Sequence, residues 1–359
     1  MATPKKRNVR VSIIEVADRA GVSRSTASRV LGGYGKTSIE SREAVLKAAK
    51  DLGYRVNTLA RAMITGKSFT LGVVLADIEN DYFARLVRGA ADAAKSLGYE
   101  ILLINTDEDS STEKKAIQVL LNMQVDGILI APASSNNFDH LIAATRHDTP
   151  IVLVDRKISN FKADIVAIDN FAASSEIVQK LIDFGHRRIS MVTSAIENTN
   201  NFEKFEVSTG KDRVAGYIDA LKKNQIKPKA EYLRRSSYSI EASYIQTKLV
   251  LNLPNPPTAI FASDNIMLLG VLKACRELGI QLPTQLSIVG MDDTDWMEVA
   301  TPRLTVIRQP VYEIGRLAIE RLVLRINGER TRPQEFKLAY TWVERDSITK
   351  PVNLRIIKK

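Results

Sequence analysis

From Phe69 onward the chain repeats one pattern, a short apolar run followed by a stretch with the make-up of an amphipathic helix. "TLGVVLA", "YEILLIN", "DGILIA" and "PIVLV" come first, and after a crossover "RISMVT", "TAIFAS" and "LSIVG". The helical stretches between such runs include Tyr82 to Leu97 and Asp212 to Asn224. Buried β-runs spaced by helices imply right-handed βαβ units, and therefore parallel sheets with helices on both faces. The pattern predicts two doubly wound α/β lobes. A chain of 359 residues leaves room for a further domain beside them.

Residues 1–66 read differently. They carry 13 Lys and Arg against 5 Asp and Glu, a net +8, while the other 293 residues contribute only the remaining +2 of the overall +10. Such asymmetry between a short basic end and a near-neutral body points to a polyanion partner. The local grammar is more specific. "SIIE" at Ser12 to Glu15 has the spacing of a capping box, so a helix starts there and stops at Gly21, the natural left-handed residue. Ser23 then caps a second helix running to about Leu31. A third, Ile39 to Leu52, has Ser38 as cap, Ala44, Val45, Ala48, Ala49 and Leu52 as its inner stripe, and Gly53 as its stop. The first two helices and their glycine turn make a helix-turn-helix. On the second helix Ala27, Val30 and Leu31 face inward, leaving Arg24, Ser25, Ser28 and Arg29 outward with Thr26 on the flank. An exposed helix start carrying Arg, Ser and Thr is suited to base edges in the major groove, because arginine can fork onto guanine and hydroxyls donate or accept.

These residues also carry a family resemblance. "IIEVADRAGVSRSTASRVLGG", "SREAVLKAAKDLGYRVNTLARAMITGKSFTLGVVL", "VDGILIAP", "FGHRRI", "TAIFASDNIMLLGVLKACRELGIQLP", "LSIVGMDDT" and "PRLTVIRQP" together resemble the lactose-repressor (LacI/GalR) family of bacterial transcription regulators, over about residues 11 to 347. The resemblance implies a helix-turn-helix DNA-binding domain with a basic arm (1–56), a hinge helix and linker (57–68), and a core like the periplasmic binding proteins. In that core the chain crosses three times between lobe I (69–168 and 299–330) and lobe II (169–298 and 331–347), before a tail (348–359). DNA-reading positions then fall on Arg24, Ser25 and Arg29, with Ser23 and Thr26 near phosphates. Asn57 caps a hinge helix of about seven residues, Thr58 to Ile64, too short to hold alone in water. It places an apolar wedge in the minor groove; where the family usually has leucine, this chain has Met63.

Ligands in doubly wound folds sit where the carboxyl ends of strands meet. Residues just past the strand runs are polar: Asp77, Asn80, Tyr82 and Phe83, then Asp155 and Arg156, Ser263 and Asp264, and Asp292, with Arg213 opening a helix and Gln309 in a crossover. Carboxylates and arginine for hydroxyls, with aromatic faces for C–H surface, are what a neutral, many-hydroxyl ligand requires in a closed cleft. The resemblance implies a monosaccharide held by Asn80, Tyr82, Phe83, Asp155, Arg156, Arg213, Ser263, Asp292 and Gln309. Two features depart from the family: Ser263 stands where asparagine is common, and the loop "SAIENTNNFEKFEVSTGKD" is long. Asp77 and Asp264 also suit strand-end capping.

Other chemistries find little support. "GKS" at Gly66 to Ser68 and "GKT" at Gly35 to Thr37 lack the glycine a phosphate loop requires five residues earlier, where Arg61 and Val30 stand. There is no G-x-S-x-G elbow, and His140, His147 and His186 suggest neither a triad nor a metal site. His186 reads as a helix-end residue near the dipole. The lone Cys275 excludes an internal disulfide and fits a reducing compartment. No secretory leader or membrane span is evident, so the expectation is a cytoplasmic non-enzyme without cofactor or metal. Two alternatives stay open: the same regulator answering a purine or a phosphorylated protein, and a sugar-binding transport protein, which would need a leader and no helix-turn-helix. The expected mechanism is a coupling in which ligand closes the lobes, closure changes the spacing of two hinge helices across a dimer, and operator affinity changes, upward or downward. The tail is too short for a tetramerising coiled coil.

Overall fold

The computed structural model describes residues 11–54, 66–194 and 207–351. The basic arm, the expected hinge helix with Asn57 and Met63, and most of the long loop lie outside the described residues. Two compact units are present: Met1–Thr70 with Gln124–Asp126, and the rest of the chain.

The first unit contains α1 (Ile13–Ala20), α2 (Arg24–Gly32) and α3 (Ile39–Asp51). Its caps follow from the sequence. Ser12 Oγ accepts from the Glu15 N–H while the Glu15 carboxylate accepts the Ser12 N–H at 2.6 Å, a complete capping box. Gly21 closes α1 at φ 67°, a backbone region that costs a side-chain-bearing residue. Ser23 and Ser38 accept the first-turn N–H groups of Thr26 and Ser41, each at 3.2 Å. Val16, Ala17, Ala27, Val45, Ala48 and Ala49 form the core, with Val30, Leu31 and Leu52 packed against it. One residue departs from expectation. Ser28, expected outward, is half-buried with its hydroxyl 2.6 Å from the Tyr34 phenol. Gly32 has no side chain to keep the Tyr34 ring away; a Cβ there would lie 2.3 Å from it.

The second unit is two six-stranded sheets. The first sheet holds β1 (Thr70–Leu75), β2 (Glu100–Asn105), β3 (Gly127–Ile130), β4 (Ile151–Val154), β5 (Asp164–Ile168) and β11 (Glu335–Leu338), in the order β11-β5-β4-β3-β1-β2. The second holds β6 (Ile189–Ser194), β7 (Leu233–Ser236), β8 (Ala259–Ala262), β9 (Ser287–Met291), β10 (Thr305–Arg308) and β12 (Thr341–Val343), in the order β12-β10-β9-β8-β6-β7. Its pairings from β7 through to β10 are parallel, and β12 adds one antiparallel edge. The first lobe carries α4 (Asp81–Ser96), α5 (Ser110–Asn122), α6 (Asp139–Arg146) and α12 (Val311–Ile326); the second carries α7 (Asn170–Asp183), α8 (Ser208–Lys223), α9 (Ile240–Leu251), α10 (Asn265–Glu277) and α11 (Asp295–Val299). Helices α4 and α12 touch backbone to backbone, since a Cβ on Gly89 or Gly315 would sit 2.0 Å from a carbonyl oxygen of the other helix.

The chain crosses between the sheets at Asp169, at Gln309–Pro310 and at residues 339–340. Two expected boundaries therefore move. The sequence reading places residues 299–308 in lobe I, yet β10 pairs with β9 and extends the second sheet, Thr305 facing Val289. It places residues 331–338 in lobe II, yet β11 covers the open edge of β5, Glu335 facing Ile165. The reason lies beside that edge, where the fully buried Asp164 carboxylate is held by Arg321 and Arg325 of α12 and by the Gln334 N–H. The α8 helix starts earlier than expected, so Arg213 sits in its second turn. His186 is fully buried and bridges the Thr258 hydroxyl and the Thr349 carbonyl, both at 2.9 Å, with burial lowering its pKa; it ties the second sheet to the segment behind it.

Candidate functional site

In the first unit the DNA-reading candidates share one end of α2. Ser23, Arg24, Ser25 and Arg29 are exposed and Thr26 is half-buried. The hydroxyls cluster: Ser23 Oγ lies 2.8 Å from Ser25 Oγ and 3.0 Å from Thr26 Oγ1. Arg29 is steadied by an Nε–H bond to the Ser25 carbonyl at 3.3 Å. Its guanidinium is otherwise available for a fork onto a base edge or phosphate.

In the core, a cavity of about 740 Å³ opens between the two sheets at the carboxyl ends of their strands. Asn80, Tyr82, Phe83, Asp155, Arg156, Arg213 and Asp292 all line it. Asn80 caps α4 by accepting from the Tyr82 N–H at 2.9 Å, which aims the rings of Tyr82 and Phe83 inward in an edge-to-face pair 5.2 Å apart. It also spans the lobes, accepting from Asn265 Nδ2 at 2.8 Å and donating to the Tyr238 phenol. Arg156 lies over the Phe83 ring, 5.7 Å from its centroid, and forks onto Glu108 at 2.6 and 2.5 Å. Burial opposes the charge of Arg156, and Glu108 more than offsets this, so its pKa is raised.

Asp155 and Asp292 end β4 and β9 in the same unusual way. Their φ angles are 62° and 73°, in the left-handed region that side-chain-bearing residues seldom occupy. This backbone turns both carboxylates into the cleft. Asp155 accepts from the Tyr82 hydroxyl at 3.1 Å, while Asp292 accepts from Gln309 Nε2 at 2.6 Å. Burial pushes the Asp292 carboxyl up to about 7, against the pull of Arg213 and with added repulsion from Asp264 and Asp155. Arg213 donates from Nε to Asn170 Oδ1 and from Nη1 to the Ser263 carbonyl, both at 2.8 Å.

Ser263 and Gln309, expected against the ligand, stand one layer back. The Ser263 hydroxyl donates to Asp264 Oδ2 at 2.8 Å, and Gln309 meets the cleft only through Asp292. Asp264, for which strand-end capping is the alternative to a site role, caps α10 through the Met267 N–H at 2.9 Å and also lines the cavity. Asp77 is a local cap, accepting from the Glu79 N–H. Sequence reasoning missed Glu108, Asn136, Asn137 and Tyr238, which also line the cavity. The rule of looking just past each strand would have found Glu108 after "YEILLIN" and the asparagines after "DGILIA". Tyr238 follows β7, "LRRS", which has no apolar signal.

Residues 12–57 match the bacterial regulatory proteins of the lacI family, and residues 178–348 match the periplasmic binding protein-like domain. Catabolite control protein A of Priestia megaterium is 33% identical over 319 residues, covering 89% of this chain and 93% of its own. Among solved structures, the complex of the transcriptional regulator CelR with cellobiose is 27% identical with a TM-score of 0.70, over 94% of this chain and 100% of that one. The lac repressor dimer bound to operator and the anti-inducer ONPF is 25% identical with a TM-score of 0.81, over 95% of this chain and 99% of that one. The class is a DNA-binding transcriptional regulator with a two-lobed core. Within it, this chain belongs to the LacI family of bacterial regulatory proteins.

Proposed function

We propose that this regulator represses a carbohydrate-utilisation operon, binding a pseudo-palindromic operator as a homodimer under the control of a small sugar in the interlobe cleft. The observation that carries the sugar is the cleft itself. Buried acceptors on Asp155 and Asp292 and donors on Arg213 and Arg156 stand around the Tyr82–Phe83 pair, the mix that grips hydroxyls and the C–H face of a sugar ring. The cellobiose bound to CelR supports it. Ser263 and Gln309 act by holding Arg213 and Asp292. For the dimer, α9 leaves Ile245 and Leu249 about half exposed, and the lac repressor on its operator is a dimer. The cleft residues hold one another in hydrogen bonds, and we assign them no catalytic step. No described helix is long and apolar enough to cross a membrane; an operator as partner supports a cytoplasmic location.

Ligand and DNA affinity are coupled reciprocally, whether the sugar induces or co-represses. The test is operator affinity of the full-length protein with and without a panel of monosaccharides and purines. One monosaccharide should shift it, and Arg213→Ala should hold operator while losing that shift, because truncation leaves ligand hydroxyls unpaired. A shift by a purine and by no sugar would replace the ligand class, and a normal sugar response in Arg213→Ala would remove the site.

A further inference from the structure

A second cavity of about 410 Å³ lies behind the cleft, beside the crossing from β10 to α12. Tyr82 and Asp292 line both cavities and so form the partition between them. On its far side Thr294 and Gln309 are only 8% and 5% exposed. Thr294 Oγ1 and Gln309 Oε1 have no hydrogen-bond partner among the described residues. Buried polar atoms in folded proteins nearly always find one, so two orphans lining one cavity point to a partner from outside the chain. Their chemistry is defined. Gln309 Nε2 is committed to Asp292, which leaves Oε1 as an acceptor, and the Thr294 hydroxyl can accept or donate.

The remaining walls narrow the ligand further. Trp296, half-buried, offers an indole surface for C–H groups. Arg85 is matched by Asp295 at 3.4 Å and Arg88 by Asp92 at 3.0 Å, which leaves no cation over to select an anion; of the wall carboxylates, Asp293 is taken up by Arg308 and Arg345, and Asp81 is exposed to water. We propose that this cavity is a second small-molecule site, for an uncharged polyhydroxylated ligand of monosaccharide size, coupled to the effector cleft through the Gln309–Asp292 bond. Its volume falls in the ordinary range for such sites, roughly 300–1,000 Å³. A ligand donating to Gln309 would fix that side chain at a crossing between the lobes, and so bias their closure. The site stands on its own cavity, and only its coupling rests on the effector reading above.

Trp296 and Trp342 are the two tryptophans of the chain, so full-length protein carrying Trp342→Phe reports on Trp296 alone. We would titrate it with glucose, ribose, sorbitol and myo-inositol and follow its emission. At least one probe should give a saturable change that persists when Arg213→Ala is added. Thr294→Val, which keeps shape and removes the hydroxyl, should weaken it by about tenfold. Gln309→Met serves as a second variant should Thr294→Val unfold, and should weaken it comparably. A change abolished by Arg213→Ala and untouched by Thr294→Val and Gln309→Met would assign the signal to the effector cleft, overturning the second site and leaving the first intact. Silence of Trp296 toward all four probes would mean that the cavity holds water only, and would also overturn the proposal.

Discussion

The exposed start of α2 and the interlobe cleft use the same kinds of side chain in opposite ways. On α2, Arg24, Ser25 and Arg29 are exposed, and the fold of the unit rests on other residues, the small apolar core around Ala27 and Val45. In the cleft, Arg156, Arg213, Tyr82 and Asp292 are buried, and each is already bonded to a protein group. A partner of α2 meets groups left over from folding. A ligand in the cleft must exchange bonds that exist, and its affinity is the difference between two sets of interactions. That difference suits a switch, because a ligand moves an equilibrium only by what it gains in one state over the other.

The contrast predicts that cleft substitutions cost stability and substitutions on the exposed face of α2 do not. The largest effect should come from Arg156→Ala, which strips Glu108 of its bidentate partner in a half-buried site. Urea unfolding should lose about 3 kcal/mol, and an unchanged midpoint would mean that the cleft is not part of what holds the lobes. Next is Asp292→Asn. The folded protein holds the Asp292 proton more tightly than the unfolded chain, with a pKa pushed up to about 7. The group therefore favours the fold below about pH 4, and this contribution fades as pH rises through 7. Between those limits the wild type should lose stability steadily relative to Asp292→Asn. Parallel stability curves for the two proteins would show that the carboxyl is not desolvated as described. The smallest effect on unfolding, near zero, belongs to Arg24→Ala, which should nonetheless lose roughly 1–3 kcal/mol of operator discrimination per half-site. An operator-to-random ratio equal to wild type would take Arg24 off the base edges and break the comparison at its simpler end.

Much of the fold is written locally in the chain. Capping boxes, stop glycines and apolar runs depend on neighbours in sequence, so the three helices of the first unit and the strands β1, β2, β3, β4, β6, β8 and β9 are legible from residue order alone. Elements that answer to distant partners are not. The strand β7 is polar, and β11 and β12 are exposed or half-buried edges, so none carries a buried apolar run. The lobe boundaries slip for the same reason, since what draws β11 to the first sheet is Asp164, 170 residues before Gln334. In the candidate site, seven of the nine expected residues share one cavity. Ser263 and Gln309 fall a layer back because which bond a buried side chain makes is settled by packing across the crossovers. The left-handed turns at Asp155 and Asp292 leave no mark in residue type.

Among the described residues three connections, at Asp169, at Gln309–Pro310 and at residues 339–340, join the lobes. If the three lie in line, the lobes turn about one axis, as a door does on its pins, and every other motion is resisted. Effectors of different shape would then differ in how far along one arc they hold the lobes, and the message passed on is a single number. Strong, weak and opposing ligands would be graded by that number alone, so a new ligand could be learned by reshaping the cleft while the arc, and whatever reads it, stays as it was.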